Sequence, residues 1–249
     1  NIKQTVDLTQ GTFNNLVAVN NKLQLPSVAA PTLTRNSIAY KNDGTLVNTN
    51  LPRYEQGKFG QAVMVEEGTT NLVSNSGFEN DATGWNLSVN MSISTAKAKS
   101  GSKALRFYHD TGAPPQDTLI SYYIPVSPNT QYTLSADFWN NLTQGNLYVD
   151  YYEYDSSHKS LTDGEGPSST RGLAQWERKA FTFTTKPNAA YVKIRVVADG
   201  SPIGEAFVDN IQLEQKPYAT SFIDGTRAAE TLTIPNANVF NKSNWNLEF

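Results

Sequence analysis

Alternating apolar and polar positions recur along this chain in short segments, each bounded by Asn, Asp, Gly or Pro. The segments are rich in β-branched and aromatic residues, as strands are. They include KALRFYHD, TLISYYIPV, QYTLSADFWN, NLYVDYYEYD, RKAFTFTT, YVKIRVVAD and EAFVDNIQLE. No long amphipathic stretch carries both helix caps. The pattern therefore predicts an all-β fold, either a sandwich or a barrel.

Three of these segments separate into two faces at a period of two. The apolar faces comprise Leu134, Ala136, Phe138, Leu147, Val149, Tyr151, Val192, Ile194 and Val196. The opposite faces mix aromatic and charged side chains: Asp137, Trp139, Tyr148, Asp150, Tyr152, Tyr154, Tyr191, Lys193 and Arg195. The first set is suited to a core. The second is suited to a pyranose, whose C–H face stacks on a ring and whose hydroxyls bond to charged groups.

If these strands are neighbours, their mixed faces form one ligand-binding platform. We expect it to comprise Asp137, Trp139, Tyr148, Asp150, Tyr152, Tyr154 and Arg195. Gln116 and Asp117, at a long polar loop, would reach a sugar from the rim. Two other interpretations stay open: the aromatic side chains pair across strands for stability, or residues 1–56 cover them.

The character of the sequence changes at two places. Residues 1–70 contain a predicted hairpin at Leu16–Leu25, turning at an Asn-Asn pair, and then a loop-rich segment with prolines. Residues 71–215 hold the regular strands and form the predicted module. Residues 216–249 follow the last of those strands. We therefore predict a β-sandwich with β extensions at both termini.

Charge and composition exclude several classes of function. The net charge is −3, from 20 basic and 23 acidic residues, and no dense basic cluster is present, which argues against a nucleic-acid partner. No apolar run is long enough to predict a membrane span. The absence of cysteine excludes disulfides, thiolate nucleophiles and cysteine-based zinc sites.

Four motifs carry a family resemblance. In order, NLVSNSGFENDATGW, SGSKALRF, YTLSADF and AFVDNIQLE resemble the carbohydrate-binding modules of the family 4/9/16/22 type over residues 71–215. The resemblance implies an antiparallel jelly-roll β-sandwich that binds glycans on its concave face or at its loop edge and performs no chemistry. It also implies a polysaccharide or oligosaccharide partner and an extracellular location.

The same resemblance implies a structural calcium ion. The acid of the GFE motif, Glu79, would bind the metal with carbonyls of the turn from Ser100 to Lys103 and with Asp209. Calcium takes six to eight oxygen ligands and needs neither cysteine nor histidine. The alternative is that Glu79 and Asp209 are surface acids that cap turns.

The flanks carry a second resemblance. RYEQGKFGQAVMVEEGTTNL and QLEQKPYATSFIDGTRAAETLTIP are similar to stretches of bacteriophage tail and surface polysaccharide-processing proteins. GKFGQAVMVE and TLTIPNANVFNKSNWNLEF resemble consecutive pieces of a laminin-G or concanavalin-like sandwich. This implies a module inserted into a second sandwich, with residues 57–66 pairing with 228–249 and further domains beyond Phe249.

Two tryptophans have two interpretations each. Trp85 follows a turn residue and opens an alternating run, and Trp176 lies in LAQWERKAFTF. Either ring would serve as a sugar platform. A tryptophan in such a position is more often a core anchor whose indole N–H finds a carbonyl, and we expect that role for both.

Catalysis finds little support in the sequence. His109 and His158 lie in no catalytic motif. Among the carboxylates, only Asp137 and Asp150 would pair as a glycosidase requires, provided that their strands are adjacent. We therefore predict a non-catalytic module that binds polysaccharide within a larger extracellular or phage-tail protein. The alternative is a structural or adhesion segment whose aromatic side chains bind a protein partner.

Overall fold

The computed structural model describes residues 32–57, 60–111 and 116–233, of which residues 116–119 are described as backbone alone. It also describes the backbone of three N-terminal strands, at residues 4–7, 14–19 and 22–24. These residues contain strands and no helix, so nothing among them resembles a membrane-spanning helix. The all-β prediction is confirmed. The strands are β1 Gln4–Asp7, β2 Asn14–Val19, β3 Lys22–Gln24, β4 Thr32–Thr34, β5 Ala39–Tyr40, β6 Leu46–Val47, β7 Arg53–Gly57, β8 Gly60–Met64, β9 Thr69–Thr70, β10 Trp85–Asn86, β11 Met91–Ser94, β12 Ala104–His109, β13 Gln116–Ser121, β14 Ile124–Pro125, β15 Gln131–Tyr154, β16 Ser160–Gly164, β17 Trp176–Thr184, β18 Tyr191–Glu214, β19 Thr226–Arg227 and β20 Thr231–Thr233.

Two strands of 24 residues, β15 and β18, organise the sheet. They pair antiparallel from Thr133 opposite Glu214 to Tyr154 opposite Tyr191. The first half of β15 is flanked by β17, and the second half of β18 by β12 and then β11. At the other end β16 flanks β15, whereas β13 and β14 flank β18. Each long strand therefore belongs to two layers.

A corner in the middle of both strands separates the layers. The pairing register shifts between Leu142 and Gln144 and again between Gln144 and Asn146. Gly145 has a φ of +79°, and a Cβ there would lie 2.4 Å from the carbonyl oxygen of Asp199. Such bulges bend a strand, which is how one strand passes from one layer of a sandwich to the other.

The inward side chains of both layers meet in one core. The apolar faces predicted for β15 and β18 all belong to a single buried cluster, together with Leu105, Phe107 and Phe183. Trp85 is in the same cluster, packs its ring 5.5 Å from that of Phe78, and donates its indole N–H to a carbonyl. The predicted sandwich is confirmed, as is the core position of Trp85.

The flanks pair with each other beside the sandwich. Strand β4 pairs with β20, and β9 pairs with β19. The predicted hairpin near the start is present as backbone pairing, because Val19 of β2 lies opposite Lys22 of β3. Residues 57–66 were expected to pair with 228–249: residues 60–64 pair with β7, and the backbone N–H of Glu230 donates to the carbonyl of Glu66 at 2.9 Å. The remainder of that pairing, at 234–249, lies outside the described residues.

A buried ionic cluster fastens the two flanks. Oε1 of Glu230 accepts hydrogen bonds from Arg35 at 2.8 Å and Arg53 at 3.1 Å. Its Oε2 accepts from Arg53 and from the backbone of Glu66, each at 2.8 Å. The side chains of Arg35, Arg53, Arg227 and Glu230 are fully buried. One carboxylate thus forms ion pairs with arginines that lie up to 195 positions away in sequence.

We expect Glu230→Gln to lower the free energy of unfolding by about 3–5 kcal/mol, because it leaves the buried Arg35 without its counter-charge and Arg53 paired with Glu66 alone. Urea denaturation measures the change. Glu205→Gln is the control, since it breaks a half-exposed pair with Arg106 and is expected to cost up to about 1 kcal/mol. Equal losses in the two variants would contradict the role assigned to Glu230.

Candidate functional site

We call the layer that contains β11, β12 and β17 the first layer, and the layer that contains β13, β14 and β16 the second layer. The outer surface of the second layer carries a row of aromatic and charged side chains. Tyr148, Asp150, Tyr152 and Tyr154 alternate with core residues along β15, and Asp150 lies opposite Arg195 of β18. The structure therefore brings together five of the predicted platform residues. We call this set, Tyr148, Asp150, Tyr152, Tyr154 and Arg195, the tyrosine face.

An ion pair stiffens the middle of the tyrosine face. Arg195 donates from Nε to Oδ1 of Asp150 at 2.9 Å and from Nη2 to Oδ2 at 2.5 Å. The same guanidinium lies 4.4 Å from the ring centroid of Tyr152. Burial raises the pKa of Asp150, although the hydrogen bonds from Arg195 oppose the rise. A bidentate ion pair therefore adjoins an aromatic ring. Such an arrangement suits a sugar, which stacks on a ring and forms hydrogen bonds with charged groups.

A cleft of about 640 Å³ opens at one end of the tyrosine face. It lies between β15 and the segment that follows β16, and its size is typical of ligand sites. The cleft is lined by Tyr148, Asp150, Asp163, Gly164, Glu165, Gly166, Ser168 and Arg195. Gly166 lets that segment approach closely, because a Cβ there would lie 1.9 Å from the carbonyl oxygen of Val149.

Tyr148 is held in place within this cleft. Its hydroxyl donates to Oδ2 of Asp199 at 2.9 Å, and Asn146 donates to the other oxygen of the same carboxylate at 2.9 Å. Burial, together with this hydrogen bond, raises the pKa of Tyr148 to about 12. The phenol is therefore protonated and oriented at neutral pH.

Rings that the sequence did not single out extend the opposite end of the face. Tyr123 lies 5.0 Å from Tyr154 and 4.2 Å from His158, and Lys193 lies over its ring at 4.1 Å. Tyr191 completes the group at 5.8 Å from Tyr123. Sequence reasoning missed Tyr123 and His158 because they lie in the short connections between β13 and β14 and between β15 and β16, and meet only in the folded chain.

Asp137 and Trp139 do not join the tyrosine face, contrary to the predicted single platform. They precede the corner in β15, so they point outward from the first layer, on the other side of the core. Asp137 accepts hydrogen bonds from Arg178 at 3.0 Å and Asn210 at 2.9 Å. Trp139 packs edge-on against Phe207 at 5.6 Å, beneath Lys97.

The described part of the N-terminal extension covers this first layer. Residues 40–42 line a cavity of about 240 Å³ with Asp137, Trp176 and Phe222. Trp176 is half-buried there and is not part of the core cluster, so the core position expected for it is wrong. The backbone of Gln116 pairs with Asp199, but the side chains of Gln116 and Asp117 lie outside the described residues.

The expected calcium ligands converge on one turn. Oε1 of Glu79 accepts hydrogen bonds from the backbone of Ser102 and Lys103 at 2.8 and 2.9 Å. Oδ2 of Asp209 accepts two from the other end of the turn, at residues 99 and 100, at 2.7 and 3.1 Å. These contacts are those of turn-capping acids, although Asp209 is buried and not a surface group. Gly101, with a φ of +63°, allows the carboxylate of Glu79 to approach the turn.

The chemistry of this donor set fits calcium. Burial raises the pKa of Asp209 to about 7, against the hydrogen bonds from three backbone N–H groups. A cation beside Asp209 would favour its charged form, and carboxylate and carbonyl oxygens are the ligands that calcium prefers. The described residues hold no group of three or more His, Cys, Asp or Glu side chains spaced to bind a metal, so carbonyls would have to complete the coordination.

Comparison with known proteins places this geometry in a family. The profile described as "Carbohydrate binding domain" matches residues 70–202, more than half of the chain and most of the predicted module. The chain belongs to this carbohydrate-binding domain family. The match includes β15 and β16 and the part of β18 that carries Arg195, and thus all of the tyrosine face.

Curated relatives of this carbohydrate-binding domain are much longer proteins. The tRNA(Glu)-specific nuclease WapA of Bacillus subtilis subsp. natto (strain BEST195) is 28% identical over 186 residues, and the tRNA nuclease WapA of Bacillus subtilis (strain 168) is 27% identical over 186 residues. Each match covers 69% of this chain, which spans 8% of the relative's length.

Two solved structures are similar to this chain. The enzymatically active domain of bacteriophage CBA120 tailspike protein 4 has a TM-score of 0.50 at 16% identity, over 58% of this chain and 21% of that one. A family 16 carbohydrate-binding module has a TM-score of 0.44 at 22% identity, over 57% of this chain and 99% of that one. The tailspike likeness shows the fold alone.

We expect Asp199→Asn to lower the pKa of Tyr148 from about 12 toward 10, because the neutral amide no longer disfavours the phenolate. NMR titration of ¹³C-labelled tyrosine measures the value. Asp163→Asn is the control, because Asp163 lines the same cleft but makes no hydrogen bond to Tyr148. An unchanged pKa in Asp199→Asn would contradict the assigned hydrogen bond.

Proposed function

We propose that this domain binds polysaccharide on the tyrosine face, without catalysis, as one module of a larger extracellular or phage-tail protein. The observation that carries the proposal is the bidentate ion pair between Arg195 and Asp150 beside the ring of Tyr152. Membership of the carbohydrate-binding family supports it. The small share of the WapA proteins that the chain covers supports a place within a longer polypeptide.

The length of the tyrosine face suits a chain of several sugar units. Tyr148, Tyr152 and Tyr154 lie on one side of β15, and six residues of strand span roughly 20 Å. Rings at this spacing stack against successive pyranoses, while Asp150 and Arg195 exchange hydrogen bonds with their hydroxyls. The cleft at residues 163–168 adds a wall that orients one end of the ligand.

Several contacts support a binding role without catalysis. Glycosidases need two carboxylates about 5–10 Å apart. Asp137 and Asp150, the pair that the sequence offered, lie on outer surfaces of different layers and are each ion-paired with an arginine. The two carboxylates are therefore not arranged as a glycosidase pair.

We expect Tyr152→Ala to abolish retardation of the protein by a polysaccharide in native affinity electrophoresis, because the variant removes the central stacking ring. Trp139→Ala is the matched control: it removes a larger ring from the other layer and should leave retardation unchanged. A panel of soluble plant and bacterial polysaccharides supplies the ligands.

Two outcomes would oppose the proposal. Retardation that survives Tyr152→Ala and is lost in Trp139→Ala would place the sugar on the first layer. An oligomer that dissociates in Tyr152→Ala, with no retardation of the parent protein, would favour the structural or adhesion role.

We further propose a structural calcium ion held by Glu79, Asp209 and carbonyls of the turn from Ser100 to Lys103. The support is the convergence of both carboxylates on that turn and the buried position of Asp209. The ion would tie β18 to the loop after β11 and would neutralise a carboxylate that burial disfavours.

We expect calcium at about 100 times its Kd to add about 2.7 kcal/mol to the free energy of unfolding, and thus to raise Tm by roughly 5–10 °C above the value in EDTA. Thermal denaturation checks this increment. Glu79→Gln should lose it and Asp110→Asn, an exposed acid, should keep it. The same Tm in calcium and in EDTA would sink the metal proposal.

A further inference from the structure

The cleft beside the tyrosine face has a marked excess of negative charge. Asp163 and Glu165 line it, are exposed, and make no side-chain hydrogen bond or ion pair within the described part of the chain. Asp199 lies behind Tyr148, and its carboxylate is satisfied by neutral donors. The arginine that lines the cleft, Arg195, is already neutralised by its pair with Asp150.

The carboxylates in and beside the cleft repel one another. Asp163 and Asp199 both contribute to the raised pKa of Asp150, although burial is the larger cause. Lys193 lies at the far end of the face, over the ring of Tyr123. A ligand seated between Tyr148 and the segment 163–168 therefore meets two free carboxylates and no free cation among the residues that line the cleft.

We propose that the cleft selects a glycan that carries protonated amino groups, and that it rejects glycans bearing uronic acids or phosphates. This inference rests on the proposed sugar-binding role of the tyrosine face. The ring of one unit stacks on the tyrosines, and its ammonium group lies against Asp163 and Glu165. Complementary charge of this kind gives specificity, because a like-charged ligand would be repelled.

Chain length is kept constant in the test, and ring configuration and linkage are kept constant between the first two ligands. Chitosan hexaose, chitin hexaose and a hexamer of galacturonic acid are compared by isothermal titration calorimetry against the full chain at pH 6 and low salt. The first two ligands differ only in N-acetylation, so their difference in Kd reports the amino group. We expect chitosan hexaose to bind roughly tenfold more tightly than chitin hexaose, the galacturonate not to bind, and the preference to fade at high salt.

A charge-matched pair of variants locates the effect. Asp163→Asn with Glu165→Gln should abolish the preference for chitosan while retaining the binding of chitin hexaose. Asp110→Asn with Glu67→Gln removes the same charge from exposed positions outside the cleft and should keep the preference. Circular dichroism confirms that both variants are folded.

The outcomes separate this inference from the sugar-binding proposal. Equal affinity for chitosan and chitin, or an equal loss of preference in both double variants, would overturn the selectivity for amino sugars. Binding of the galacturonate in a manner that Tyr152→Ala abolishes would do the same. If none of the three ligands binds in a manner that depends on Tyr152, and the polysaccharide panel also fails, the binding face itself has been misassigned.

Discussion

Pairing between β15 and β18 is the interaction on which the rest of the structure depends. The two strands run side by side for almost their whole length and supply the centre of both layers. Strands β12, β13, β14, β16 and β17 join at their edges, and β10 and β11 join beyond β13 and β12. Because each strand turns the corner near Gly145, its apolar face points into the same core before and after the bend. A break in this ribbon would separate the layers and remove the wall against which Trp85 and Phe107 pack.

The corner also determines what the outer surfaces can do. Side chains that alternate with the core point outward on both sides, but those before the bend and those after it lie on different layers. The first layer is covered by the flanks, so Asp137 is buried in hydrogen bonds with Arg178 and Asn210. The second layer keeps its aromatic side chains accessible around the ion pair of Arg195 and Asp150. One strand thus provides a surface that the flanks cover and a surface on which we propose that sugar binds.

Three buried carboxylates, those of Glu230, Asp150 and Asp209, have different partners for their negative charge. Glu230 of the C-terminal flank pairs with Arg35 and Arg53 of the N-terminal flank, so each charge has a partner inside the protein. Asp150 has one arginine and lies at the edge of a cleft, where solvent or a ligand completes its surroundings. Asp209 receives backbone N–H groups alone, and burial raises its pKa to about 7 although those hydrogen bonds oppose the rise. These differences distinguish a structural ion pair, a candidate binding group and a candidate metal ligand.

The sequence by itself determined the all-β class, the core faces of β15 and β18, the core role of Trp85 and the family, because a period of two and short motifs are local properties. It also identified Tyr148, Asp150, Tyr152, Tyr154 and Arg195, since each alternates with an apolar neighbour. The tertiary structure alone decided that Asp137 and Trp139 lie elsewhere, because periodicity does not show a bend produced by a bulge. The clustering of Tyr123 with His158, the charge of the cleft and the ion pairs of Glu230 likewise depend on contacts between residues distant in the chain, which no local pattern contains.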